Sequence, residues 1–358
     1  MWGICALKIS AVLFYCSFAL LIVAGSRIRD HEVHPVGLAY RIIPRVNKHV
    51  VNATGTAAPV RQKGLWDYLV DGQYGSHSKV VLFSTNIWGG FGNSFRGLRG
   101  LCVYALLKGA KIRVKWNDYF MVMDESVGAL KKTDQKPLPY CRYLGNVEDV
   151  RYLYTDFECL HVVAYLDFSD SLLESVESRR RLMKLGLFQH VPTAYEVQEQ
   201  LTRLLFRLKP SLMESLAPTL AEIRKHQVIG FQFRTGGHVA NYEEDTVFIR
   251  MNRLDSVYRV LRNVSQANHF RHPYLYLSTD STKVVRQFKM DRKYPLIMYE
   301  KYPIGHSSRV RDGNDDTIFR AVSDIYLLSQ CNAIITTYTS SFGDLARMLS
   351  YSDSKTII

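Results

Sequence analysis

Short apolar runs that end on glycine or hydroxyl residues, each followed by a helical stretch, recur along this chain and leave few folds open to it. In the second half Val228-Ile229-Gly230-Phe231-Gln232-Phe233 reads as a strand running into Arg234-Thr235-Gly236-Gly237. Residues 252–263 read as a helix, and Tyr274-Leu275-Tyr276-Leu277-Ser278 as a strand ending at Thr279-Asp280. Residues 317–329 form a helix with an apolar face at Ile318, Ala321, Ile325 and Leu328. Ala333-Ile334-Ile335-Thr336-Thr337 is the next strand, followed by Thr339-Ser340-Ser341-Phe342-Gly343 and a helix through Leu349. The first half begins the same way. Val80-Val81-Leu82-Phe83-Ser84 leads into a turn, Gly89-Gly90-Phe91-Gly92-Asn93, then a helix through Leu107 and a strand at residues 111–116. Residues 165–225 are mainly helical, punctuated by Pro192, Pro210 and Pro218. Strands alternating with helices specify an α/β protein with parallel sheets. The expectation is two doubly wound domains facing a cleft, over residues 76–225 and 226–358. Ligands in such sheets lie beyond the carboxyl ends of the strands, which is where the polar residues of this chain gather.

The N-terminus adds a different constraint. Residues 9–25 are almost wholly apolar, with Lys8 before them and Arg27 and Arg29 after. That is the short end of a membrane span, which takes about 17–25 apolar residues. Residues 1–25 read as a signal-anchor helix, with cleavage near Ala24-Gly25-Ser26 as the competing reading. Residues 26–75 carry Pro35, Pro44 and Pro59 without sustained periodicity, and read as a stem. Two glycosylation sequons, Asn52-Ala53-Thr54 and Asn263-Val264-Ser265, agree with a luminal body. Of the six cysteines, Cys141 and Cys159 are the body pair closest in sequence; a disulfide and buried free thiols both remain open. No Cys/His spacing suggests zinc.

A net charge of +13 in 358 residues calls for an anionic partner. No basic run interleaved with aromatics favours nucleic acid, and Arg179-Arg180-Arg181 reads as a solvated helix face. Arg234, at the end of a strand and before two glycines, suits a bidentate grip on a pyrophosphate. Ser340-Ser341-Phe342-Gly343 opens a helix, so its hydroxyls and amides serve either as a plain N-cap or as an anion site. Gly90-Phe91-Gly92-Asn93 is neither a Walker loop nor a complete dinucleotide fingerprint.

Taken in order, Gly-Phe-Gly-Asn, Arg-Thr-Gly-Gly, Tyr-Leu-Ser-Thr-Asp, Asp324-Ile325-Tyr326-Leu327-Leu328-Ser329 and Thr-Ser-Ser-Phe-Gly resemble the fucosyltransferase clan of core fucosyltransferase, protein O-fucosyltransferase and the plant xyloglucan enzymes. The resemblance covers roughly residues 80–350 and assigns no subfamily. It implies two Rossmann-like domains of the GT-B kind, a GDP-fucose donor, inversion at the fucose anomeric carbon and no required metal or other cofactor. It also implies a glycan or glycoprotein acceptor and a luminal body on a type II anchor in the Golgi or endoplasmic reticulum membrane. By the same resemblance Arg234 binds the β-phosphate, Asp280 and Asp324 shape the nucleotide pocket, and Ser340, Ser341 and Phe342 contact phosphate. Asn93 faces the reacting centre.

Two positions depart from the clan's pattern. Gln232 stands where a histidine is common, and Gly237 where an aspartate is. By the resemblance to core fucosyltransferase, which carries its base a few residues beyond the matching arginine, a base for the attacking hydroxyl is sought in Glu243, Glu244 and Asp245, with Glu243 nearest that spacing; a solvated acidic loop is the competing reading. Two other functions stand beside transfer of fucose. One is a luminal sulfotransferase, which needs a Lys- or Arg-bearing phosphate loop after the first strand. The other is a non-catalytic member that binds glycan or peptide.

Overall fold

The computed structural model describes residues 41–42, 65, 67–69, 79–84, 90–115, 142–146, 157–164, 167–239, 242–305 and 316–358. The expected anchor and most of the expected stem, with Asn52, lie outside the described residues. Among the described residues no helix is long and apolar enough to cross a membrane.

Strands are numbered along the chain from β1 (Arg41–Ile42). The first sheet joins β2 (Val80–Ser84), β3 (Lys111–Lys115), β4 (Arg142–Asn146) and β5 (Cys159–Val163) in the order β3-β2-β5-β4, with every pairing parallel. The second contains β6 (Val228–Phe233), β9 (Tyr274–Thr279), β10 (Leu296–Ile297), β11 (Ala333–Thr336) and β12 (Ser354–Ile357). Its order is β1-β12-β11-β6-β9-β10, parallel except where β1 runs against β12. Between β6 and β9 a separate antiparallel ribbon forms from β7 (Gly236–Val239) and β8 (Tyr242–Val247). From β6 the chain winds outward through β9 and β10, then crosses back to β11 and β12. The reversal leaves a crevice at the carboxyl ends of β6 and β11.

Successive side chains of a strand face opposite sides of its sheet. Ile229, Phe231 and Phe233 pack on one side with Val257 and Leu261 of α6 (Leu254–Ala267) and with Val284 and Phe288 of α7 (Thr282–Asp291). The helices numbered before these are α1 (Phe91–Lys108), α2 (Ser169–Leu173), α3 (Val176–Lys184), α4 (Ala194–Leu205) and α5 (Pro210–Lys225). On the other side lie α8 (Asp316–Ser329) and α9 (Ser341–Leu349), which share one continuous core with α1, α4 and α5. Gln232 therefore points toward α9, not toward α6.

Two sequence expectations shift. Gly92 and Asn93 sit in the first turn of α1, which already begins at Phe91, not in a connecting turn. Pro218 does not interrupt the chain; it lies inside α5, on the exposed side. An interior proline costs about 3 kcal/mol. Here Leu212, Leu216, Leu220 and Ile223 are buried on the opposite stripe, and each such side chain returns about 1.5–3 kcal/mol. The Asn263 sequon begins inside α6. Cys159 is disulfide-bonded, Cys102 and Cys331 are free and buried, and Cys141 lies outside the described residues.

Helix α1 is buried almost all round, as a helix between two layers must be. Its most consequential residue is Arg99, 1% exposed. Arg99 pairs with Asp167 after β5, reaches Asp344 of α9 at 3.5 Å and donates to Thr202 of α4 at 3.1 Å. It also contacts Met348 of α9. Arg347 holds Asp344 from the other side at 2.6 Å. One guanidinium thus joins the layer built on the first sheet to the last helix of the second. Replacing Arg99 by methionine leaves two carboxylates short of their partner. Breaking a buried pair in this way costs about 3–5 kcal/mol. Urea unfolding of Arg99→Met should show that loss, and an unchanged midpoint would show that the network does not hold the layers together.

Candidate functional site

The cleft that opens at the crevice has a volume of about 220 Å³. Its walls bring together Asn93, Arg234, Asp280, Asp324, Ser340, Ser341 and Phe342, all named above from sequence. Glu243 lies in β8, paired in register with His238 of β7. Its side chain is outside the described residues, as are those of Glu244 and Asp245.

Two helices begin at this cleft. Ser340 caps α9, its hydroxyl accepting from the Gly343 amide at 3.3 Å. The amides of Ser341 and Phe342, earlier in the same turn, have no carbonyl within the helix to bond. Helix α1 opens at Gly90 with no side-chain cap and no acidic residue in its first turn. The two N-termini touch. A Cβ on Gly92 would lie 2.7 Å from Ser341 Oγ and 3.0 Å from the Phe342 nitrogen. Only glycine allows that approach, which gives the Gly-Phe-Gly-Asn segment a packing reason. Each helix start carries the equivalent of roughly half a positive charge, so their convergence makes an anion site.

Arg234 stands at the mouth of the same site. Its backbone amide donates to Thr337 Oγ1 at 3.1 Å, and its guanidinium lies 5.0 Å from the centre of the Phe248 ring. The turn that carries it is fixed by Asp280, whose carboxylate accepts from the Thr235 amide at 2.8 Å, the Thr235 hydroxyl at 2.9 Å and the Gly236 amide at 3.0 Å. Asp280 thus shapes the cleft by holding the Arg234 turn. Thr339, on the facing loop, has φ of 59°, a left-handed conformation that costs a β-branched residue about 1–2 kcal/mol. Strain of this size is held by its surroundings at binding loops.

Gln232, the departure from the clan's histidine, is 4% exposed and bonded at both ends of its amide. Its Nε2 donates to Ser340 Oγ at 3.1 Å and its Oε1 accepts from the Thr337 amide at 2.9 Å. It ties β6 to the cap of α9, so the substitution does not leave the site empty of structure there. Gly237 lies in β7.

Asp324 is a buried carboxylate with its partners already in place. It accepts from Tyr276 Oη at 2.6 Å, Ser278 Oγ at 3.0 Å and Arg320 Nε at 2.9 Å. Burial, then the Asp324 charge, raises the Tyr276 pKa well above the ordinary phenol value, so this hydroxyl remains a donor. Arg320 was not visible from sequence. It is 5% exposed and lines the cleft. Burial opposes its charge most strongly, but Asp324, Tyr276 and other groups outweigh it and raise its pKa. Nη1 donates to the Tyr302 carbonyl at 3.1 Å, while Nη2 is buried and, among the described residues, has no partner. Leaving such a donor unsatisfied costs about 1–3 kcal/mol or more. Among the described residues no group of three or more His, Cys, Asp or Glu is arranged to hold a metal ion.

No protein-family model and no curated protein matches the chain. Among solved structures, a point variant of Arabidopsis thaliana FUT1 in complex with GDP aligns with a TM-score of 0.53 at 17% identity, over 84% of this chain and 75% of that one. POFUT1 in complex with GDP aligns at 0.43 and 7% identity, over 81% of this chain and 99% of that one. POFUT1 in complex with GDP-fucose aligns at 0.40 and 7%, over 80% and 99%. The likeness to FUT1 shows the fold, so the chain resembles the fucosyltransferase clan in its α/β architecture, with no subfamily assigned.

Proposed function

We propose that this chain transfers fucose from GDP-fucose to a glycan or glycoprotein acceptor, with inversion and without a metal ion. The observation that carries the proposal is the meeting of Arg234 with the N-termini of α1 and α9 in one cleft. The departing group in such a transfer is GDP, whose β-phosphate gains negative charge as its bond to the sugar breaks. Fixed cations and amide donors aimed at that oxygen lower the barrier without reorganising. Arg234 supplies the cation, and the first-turn amides of Ser341 and Phe342 supply donors. The acceptor hydroxyl attacks the anomeric carbon from the opposite face and gives its proton to a base, for which Glu243 is the first candidate. Asn93, in the first turn of α1, is assigned to orient the sugar or the attacking hydroxyl.

The sulfotransferase reading has no support from the same cleft. Residues 84–93 carry no Lys or Arg, and among the described residues the cations of the cleft are Arg234, just after β6, and Arg320 of α8. The proposed setting is the lumen of the Golgi or endoplasmic reticulum, with residues 1–25 as a type II anchor. Nucleic acid has no place in this proposal.

Hydrogen bonds to a charged group contribute about 1.5–3 kcal/mol. Arg234→Ala should therefore weaken GDP binding in calorimetry by about 10- to 150-fold; full affinity would remove Arg234 from the phosphate site. Glu243→Gln should bind GDP like the parent while turnover of GDP-fucose falls by about 100- to 10,000-fold. Undiminished transfer would reject it as the base.

A further inference from the structure

Beyond the meeting point of α1 and α9 lies a cluster of charges in which cations outnumber carboxylates. Arg96 and Arg99 of α1 and Arg347 of α9 surround Asp167, after β5, and Asp344 of α9. Three guanidiniums against two carboxylates leave one positive charge over. Glu199 of α4 does not supply the balance, because it pairs with two cations of its own, Arg203 at 2.9 Å and Lys355 at 3.4 Å.

The excess falls on Arg96. Asp167 gives one oxygen to Ser169 and the other to Arg99. Asp344 gives one oxygen to Arg347 at 2.6 Å and turns the other to Arg99 at 3.5 Å. The Arg96 Nε is left at 3.9 and 3.7 Å from oxygens that other arginines hold, beyond hydrogen-bond reach. Among the described residues its terminal nitrogens make no hydrogen bond, and they are not buried. The Arg96 side chain is 31% exposed, against 1% for Arg99.

Position on the helix says what those nitrogens can meet. Arg96 follows Asn93 by three residues, so the two share a face of α1 with their Cβ atoms about 5–6 Å apart. Asn93 lines the cleft, and the proposed transfer puts the acceptor hydroxyl beside it. A sugar seated there has its substituents within reach of Arg96. A lone positive charge carrying a planar fork of free donors suits a monoanion with two coplanar oxygens, which is a carboxylate. A neutral sugar would leave the charge uncompensated.

We propose that Arg96 binds the carboxylate of an acidic sugar in the acceptor, so that the chain prefers uronate-bearing glycans. This rests on the cleft being the site of fucosyl transfer. The test uses the full chain, labelled GDP-fucose and oligosaccharides carrying glucuronate or galacturonate. Each is paired with its carboxyl-reduced counterpart, which has a hydroxymethyl group in place of the carboxylate. The parent should use an acidic member with a KM about 10- to 150-fold below that of its reduced counterpart. In Arg96→Gln the KM for the acidic acceptor should rise to that of the neutral one, the loss falling on KM and not on kcat. Arg96→Lys, which keeps the charge and loses the fork, should retain only part of the preference, and is read alone should the glutamine variant not fold. Equal use of both members of every pair overturns the proposal, as does a folded variant that keeps the full preference. If no oligosaccharide is fucosylated while the parent binds GDP-fucose in calorimetry, the role of Arg96 falls and the donor site stands. If GDP-fucose does not bind, the transferase reading falls and takes the role of Arg96 with it.

Discussion

Everything at the cleft depends on how Arg99 holds two layers in contact. The guanidinium is buried in α1 and reaches carboxylates after β5 and in α9, together with a hydroxyl of α4. That tie, with Arg96 of α1 3.7 Å from the same Asp344, holds α1 against α9, whose N-termini meet at the contact that Gly92 permits. Apolar burial alone does not fix such a register, because a shared core tolerates sliding. A charge with several fixed partners does not, since any slip strands it in a low-dielectric interior.

A second tier of contacts sets the geometry of the binding groups themselves. Asp280 freezes the turn behind Arg234, and Gln232 links β6 to the cap of α9. The strained Thr339 sits between the end of β11 and that cap. The cleft thus divides in two. On the β11 side it is built for an anion, with a cation and two helix starts. On the β9–β10 side the Arg320–Asp324 pair cancels its own charge. That polarity matches a nucleoside diphosphate better than a ligand charged along its whole length.

Much of this was legible in the sequence, for a physical reason. Strands and helices announce themselves by period, and a polar residue just past a strand is at the carboxyl edge wherever the sheet is parallel. Arg234, Asp280 and Ser340-Ser341-Phe342 were found that way. Arg99 and Arg320 were not, because an arginine in a helix reads as solvated until its neighbours are known. The spacing of Arg320 and Asp324 even matches an ordinary surface i,i+4 pair. Gln232 looked like a lost function because its partners are more than a hundred residues away. Pro218 misled for the opposite reason. Its local penalty is real, but the buried stripe of α5 outweighs it.

The central claim is that Arg234 and the first turn of α9 hold a diphosphate between them. A crystal structure of the protein with GDP tests it most directly. The account predicts β-phosphate oxygens at about 2.7–3.2 Å from the Arg234 guanidinium and from the amides of Ser341 and Phe342. A diphosphate seated away from both, with Arg234 still turned to Phe248 and the helix start bare, would contradict it.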